Sequence, residues 1–195
     1  MTGPRRRVSM RRRREGKTNY HARLRLVLSG KSRLVVRASI QSIVVQVIDA
    51  NVNGDTVLVS AHTNQLADYG WKYCTGNIPS AYLTGYLCGL RAKNRKITEC
   101  ILDVGILIHK HRVYAALKGF LDAGVTVPHG KSLFEKANLE SRMNGVHIKE
   151  YAELIKKKDK KTFEKEFSGY LKNGLDPTKI PEDFEIIKNT ILKKP

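Results

Sequence analysis

The chain has 195 residues, 41% of them hydrophobic, which is enough for one packed core with an appendage and excludes a disordered chain. No apolar run reaches the ~18 residues of a membrane span, and the best, Cys100 to Ile108, is interrupted by Asp103. The formal charge is +18, which points to a polyanionic partner.

Residues 1–15 form an arm with almost no apolar content, and no apolar stretch follows it as a secretion signal requires. Residues 1–37 hold 13 basic residues against one acid, Glu15, and so carry +12 of the total. Most are arginines, whose guanidinium forks pair bidentately with phosphate and stack on bases. Such an arm repels itself and is expected to order only on a polyanion. Nucleic acid is the partner it suits best.

Residues 16–127 read as a compact α/β body. Tyr20, Leu24 and Leu28 recur at four-residue steps, predicting a short basic helix that ends at Ser29-Gly30. Strands are expected at Leu34 to Ala38, Ile43 to Ile48 and Thr56 to Ser60, all rich in Val and Ile. Asn53-Gly54-Asp55 marks a hairpin turn between the second and third. A helix from Ser80 to Ala92 places Gly85 and Gly89 one turn apart, a strip where backbone or ligand can come close. A buried strand follows at Glu99 to Leu107, then an amphipathic helix at Arg112 to Ala123 and a last strand at Val125 to Val127. The fold class is thus α/β, a mixed sheet of about five strands: a three-strand meander, then strand–helix alternation.

Residues 128–195 read as a helical, Lys/Glu-rich extension broken at Gly and Pro. Tyr151, Leu154 and Ile155 form one helical stripe, and Phe163, Phe167, Tyr170 and Leu171 another. Pro181 followed by Glu182 and Asp183 opens a final helix bearing Phe184, Ile187 and Ile191. Packing on the body of the same chain is the expected role of these stripes, with docking on a partner as the alternative.

Enzyme chemistry finds little support. GVTVPHGKS, Gly124 to Ser132, only mimics a phosphate-binding loop: five residues separate its glycines where four are needed, and Pro128 removes an amide. A two-metal nuclease needs several carboxylates around ions ~4 Å apart. The first strand offers Arg37 and no acid, Asp103 stands alone, and Asp49 and Asp55 fall at strand ends or turns. His109 and His111 share an expected strand face, yet Lys110 and Arg112 beside them favour RNA over a dication. Cys74, Cys88 and Cys100 show no CxxC spacing and read as reduced thiols in a cytoplasmic protein. A DNA-binding alternative lacks any helix-turn-helix, zinc finger or basic zipper.

Four strings are more specific than composition: KTNYHARLRLVLSGKSRLVVR (Lys17 to Arg37), HTNQLADYGWKYCTGNIPSAYLTGYLCG (His62 to Gly89), RVYAALKGFLDAGVTVPHG (Arg112 to Gly130) and RMNGVHI (Arg142 to Ile148). They closely resemble the L-eighteen family of large-subunit ribosomal proteins in its archaeal form, over roughly residues 5–150. The resemblance implies binding of 5S ribosomal RNA, anchored to the large rRNA in the central protuberance of the ribosome. It further implies a neighbouring protein of the L-five family, a ribonuclease-H-like body, no catalytic activity and no cofactor. Read from the residues, Arg5, Arg6, Arg7, Arg11, Arg12, Arg13 and Arg14 neutralise phosphates. Lys17, Tyr20, Arg23, Arg25, Lys31, Arg33 and Arg37 hold the folded edge against RNA. Tyr20, Tyr69, Trp71 and Tyr73 are candidates for stacking on bases, with Lys72 between the last two. Ring packing inside the body remains open for Trp71 and Tyr73. Lys93, Arg95 and Lys96 supply a secondary phosphate contact.

Overall fold

The computed structural model describes residues 8–106, 110–130, 132–136 and 139–194. The second half of the arm is less open than its charge suggests: Arg11–Arg14 (α1) makes one helical turn, with Arg11 Nε 2.8 Å from Glu15 Oε1. The basic helix follows as Tyr20–Leu28 (α2), capped by Asn19, whose Oδ1 accepts from the Ala22 amide at 3.1 Å.

Arg33–Ala38 (β1), Ile43–Asn51 (β2) and Gly54–His62 (β3) form the expected antiparallel meander. Asn51 pairs with Gly54, so Val52 and Asn53 occupy the hairpin turn and Gly54, at φ +139°, opens β3. A 3-10 turn, Thr63–Tyr69, leads to the long helix Ile78–Asn94 (α3). That helix returns the chain to Ile101–Asp103 (β4), parallel to β1, giving the strand order β3-β2-β1-β4. The expected fifth strand is not formed. Val125 to Val127 makes a single parallel bridge, Glu99 to Thr126, because the next amide of that ladder would come from Pro128, which has none.

Every residue of α3 from Pro79 to Leu90 is buried, so this helix is the axis of the molecule rather than a surface element. Leu34, Val36, Val45 and Val47 from the sheet share its core, and His111–Asp122 (α4) packs along it. The glycine strip expected on α3 is where α4 arrives. A Cβ on Gly85 would lie 2.0 Å from the Ala116 carbonyl oxygen, and one on Gly119 2.1 Å from that of Tyr82. The two backbones touch, and only glycine permits it.

α3 ends in a left-handed C-terminal motif: the Ile97 amide donates to Ala92 and the Lys96 amide to Lys93. Lys96 occupies the position that favours glycine, at φ +60°. We expect Lys96→Gly to raise unfolding stability by up to about 1 kcal/mol, from relief of the left-handed Cβ clash. Thermal unfolding of the single variant checks this, and an unchanged or lowered midpoint would show that no strain resides there.

Beyond Gly130 the described chain is helical: Leu133–Lys136 (α5), Glu140–Met143 (α6), Val146–Lys158 (α7), Lys160–Glu166 (α8), Ser168–Lys172 (α9) and Ile180–Lys193 (α10). The last helix docks on the body. Phe184, Ile187 and Ile191 join the main core, Phe184 lies 5.4 Å from Tyr82, and the Lys188 ammonium sits 5.2 Å over the Tyr82 ring. α7 and α8 close a separate small cluster of Ala152, Ile155, Phe163 and Phe167. Of the stripe expected on α7 only Ile155 faces inward: Tyr151 and Leu154 are each 49% exposed, and Ala152 is buried beside Ile155 in their place. The second stripe is split by the helix break at Phe167, which leaves Leu171 exposed.

All three cysteines are free. Burial pushes the Cys88 thiol up to about 12 and that of Cys100 up to about 11, so both are protonated and unreactive at neutral pH.

Candidate nucleic-acid interface

α2 buries no residue of its own and is held on the sheet by charge. Arg23 donates to both oxygens of Asp55, at 2.8 and 2.9 Å. Arg33 on β1 follows: its Nη2 lies 2.9 Å from Asp55 Oδ2, off the hydrogen-bond axis, and its Nη1 donates to Asp103 Oδ2 at 3.1 Å. Arg37, four residues further along the same face, donates to Asp103 Oδ1 at 3.1 Å. Five side chains thus alternate in sign from helix to hairpin to β1 to β4. Burial raises the Asp55 carboxyl, but the guanidinium groups of Arg33 and Arg23 beside it outweigh that and hold the group below its ordinary value. This relay lies on the sheet face opposite α3, since Leu34 and Val36, the alternate residues of β1, enter the core.

Between α2 and β4 runs a cleft of about 650 Å³ lined by Arg12, Lys17, Arg25, Arg37, Leu102 and Ile106, among others. Arg12, Lys17, Arg25 and Arg37 are exposed along it, Arg11, Arg13 and Arg14 are exposed elsewhere on α1, and Tyr20 is half-buried at the start of α2. Lys17 lies 3.0 Å from Glu15 Oε2. Arg23 is half-buried in its pair with Asp55, and Lys31 pairs with Glu99. Arg5, Arg6 and Arg7 lie outside the described residues.

Three expected contact residues are placed otherwise. Arg33 is 2% exposed and committed to Asp55 and Asp103, so it positions the surface rather than touching a partner. Trp71 is also 2% exposed; its indole donates to the Cys74 carbonyl at 3.2 Å, and its ring meets Tyr73 edge-on. Tyr73 is buried and donates to Asp183 Oδ2 of α10 at 2.6 Å; burial and that carboxylate push its hydroxyl pKa upward. Neither ring is open to a base. Lys72 between them is exposed, and Tyr69 is half-buried against the core.

At the far end of α3, Lys93 and Lys96 are exposed. Arg95 donates to the Leu58 carbonyl, and Arg91, one turn earlier, to that of Ser60 at 3.0 Å. These carbonyls lie two apart on β3, the sheet's edge strand, so the arginines dress that edge. Arg112, also read as an RNA contact, donates to the Ser39 and Gly76 carbonyls and ties two loops together.

Among the described residues no three His, Cys, Asp or Glu side chains converge as a metal site. Asp103 accepts from Arg33, from Arg37 and, at 2.9 Å, from the Gly105 amide, which leaves it no free face for a cation. The expected His109–His111 strand face is absent, because His111 opens α4; His109 lies outside the described residues. Sequence reasoning passed over Asp55, which reads as a turn residue until its partners 32 and 22 positions away are seen. It also passed over Gln46 and Ser60, neighbours at 3.3 Å on the outer sheet face, which strand alternation alone could have flagged.

A family model described as ribosomal large subunit proteins 60S L5 and 50S L18 matches residues 4–98. Along 97% of its length the chain is 50% identical to the large ribosomal subunit protein uL18 of Methanothermobacter thermautotrophicus, covering 96% of that protein. It is 44% identical, with the same coverage of both chains, to the protein of that name from Thermofilum pendens. With half its residues shared from end to end, this chain belongs to the uL18 family of large ribosomal subunit proteins.

Proposed function

We propose that the chain binds 5S rRNA through the arm, α2 and the outer sheet face, and anchors it to the large rRNA in the central protuberance, beside a protein of the L-five family. Its family membership makes it a constituent of the large subunit of the cytoplasmic ribosome, with a structural rather than a catalytic role. The observation that carries the finer reading is the relay from Arg23 to Arg37. It fixes a helix with no buried residue of its own against the sheet, so that the exposed cations of α1, α2 and β1 border one cleft. Phosphates fit such a row, and ordering these side chains in advance lowers the entropy lost on binding. β4 parallel to β1 after an antiparallel meander supports the ribonuclease-H-like reading of the body.

Competition binding of 5S rRNA against an unrelated structured RNA of similar length, at two salt concentrations, tests this. The protein is expected to prefer 5S rRNA, and Tyr20→Ala to reduce that preference by about 1–3 kcal/mol with little change in salt slope. Lys93, Lys96 and Lys72 are proposed as secondary phosphate contacts, so their removal should lower the slope for both RNAs alike. Equal affinity for the two RNAs would rule out the 5S assignment.

A further inference from the structure

The junction of α7 and α8 is a second cationic surface, far from the first. Between Lys156 and Lys165 stand six lysines against Asp159 and Glu164. All six are exposed, and among the described residues none makes an ion pair. Asp159 is occupied as the cap of α8, accepting from the Lys161 amide at 2.9 Å and from the Thr162 hydroxyl at 2.6 Å. The lysines therefore reach solvent without an ion-pair partner, Lys156 with its ammonium 5.9 Å over the Phe163 ring, on a bend held by Phe163 and Phe167.

Their position separates them from the arm. α2 lies on the outer sheet face, whereas α6, α7 and α10 pack beyond α3, on the other side of the sheet. With helices about 10 Å across, the sheet and the α3 layer put the two surfaces on the order of 20 Å apart or more, facing away from each other. One straight stretch of polyanion cannot serve both.

The residue type narrows the partner. Lysine is depleted in protein–protein interfaces, whereas a flexible ammonium suits the phosphates of a nucleic-acid backbone. Among the described residues no free aromatic platform stands beside the cluster: Tyr151 is exposed, but its hydroxyl donates to Glu166 at 2.7 Å and its ring leans on Phe167. The surface is built for backbone contact without base reading.

We propose that the α7–α8 junction grips the phosphate backbone of a second RNA segment, distinct from the one at the arm, so that the protein bridges two RNA elements through opposite faces. The proposal rests on the RNA-binding reading above and assigns the anchoring half of it to Lys156, Lys157, Lys158, Lys160 and Lys161.

The test uses the full chain, labelled 5S rRNA and a short RNA duplex carrying a second label. Wild-type protein is expected to bring both into one complex, seen by energy transfer and sedimentation, and the duplex is expected to shield these five lysines from acetylation read by mass spectrometry. Changing all five to Gln should weaken recruitment of the duplex roughly tenfold or more and flatten its salt slope by up to about 4 units. Affinity for 5S rRNA and the circular dichroism melt should stay at wild-type level. Recruitment of the duplex unchanged in the variant, or shielding by polyglutamate but not by RNA, would overturn the proposal, the latter in favour of an acidic protein. A wild-type protein that fails to select 5S rRNA yet takes up the duplex through these lysines overturns the earlier reading and leaves this one standing.

Discussion

Asp103→Ala is expected to destabilise the fold by about 3–5 kcal/mol, a large part of the 5–15 kcal/mol that holds a domain together. Asp103 is 7% exposed and Arg33 2% exposed, so the substitution leaves a buried guanidinium with only the offset contact to Asp55. It also releases Arg37 and the Gly105 amide. Urea unfolding at neutral pH measures the loss, which should appear as a lower midpoint at constant slope. Asp103→Asn retains an acceptor oxygen and should fall between wild type and Ala. In Mg²⁺ neither variant nor wild type is expected to cut 5S rRNA, since the carboxylate oxygens are already engaged. A loss below about 1 kcal/mol would mean that water screens the relay as it screens a surface pair.

Deleting residues Met1 to Arg14 is expected to change RNA binding more than any single substitution. The segment carries seven arginines and no acid. At about 0.7 per phosphate for single strands, the log–log dependence of affinity on salt should flatten by up to about 5 units. Arg11 shares its charge with Glu15 at 2.8 Å, which places the expected change somewhat below that bound. The fold itself should be untouched, because α1 buries nothing. Filter binding across a salt series reads the slope, and an unchanged slope would show that the arm is idle on isolated 5S rRNA.

The meander, α2, α3, α4 and α10 were legible because each announces itself locally: Val/Ile runs around Asn53-Gly54, four-step repeats, Pro181 ahead of two acids. The fifth strand was not, because Val125 to Val127 has strand composition but Pro128 ends its ladder after a single bridge. The arm's charge was plain in the sequence; the use of each charge was not. Arg33 looks like its neighbours Lys31 and Arg37, and only the register beside Ile101 to Asp103 buries it. Tyr73 carries no mark of its partner, since Asp183 stands 110 residues away on α10. Short-range pattern fixes elements, whereas the burial of a polar group depends on which distant element covers it.

Arg91 and Arg95 bear on the time before any RNA is present. A sheet with a bare margin is a template on which another chain can crystallise strand by strand, and a newly made protein meets many copies of itself. Here the outward carbonyls of Leu58 and Ser60 are already engaged by guanidinium groups rooted in α3, the most deeply buried helix of the fold. The same pair brings two positive charges to the rim, so an approaching copy meets repulsion as well as filled acceptors. Growth of the sheet past β3 is thus closed from within, by side chains that need no ribosome to hold them in place.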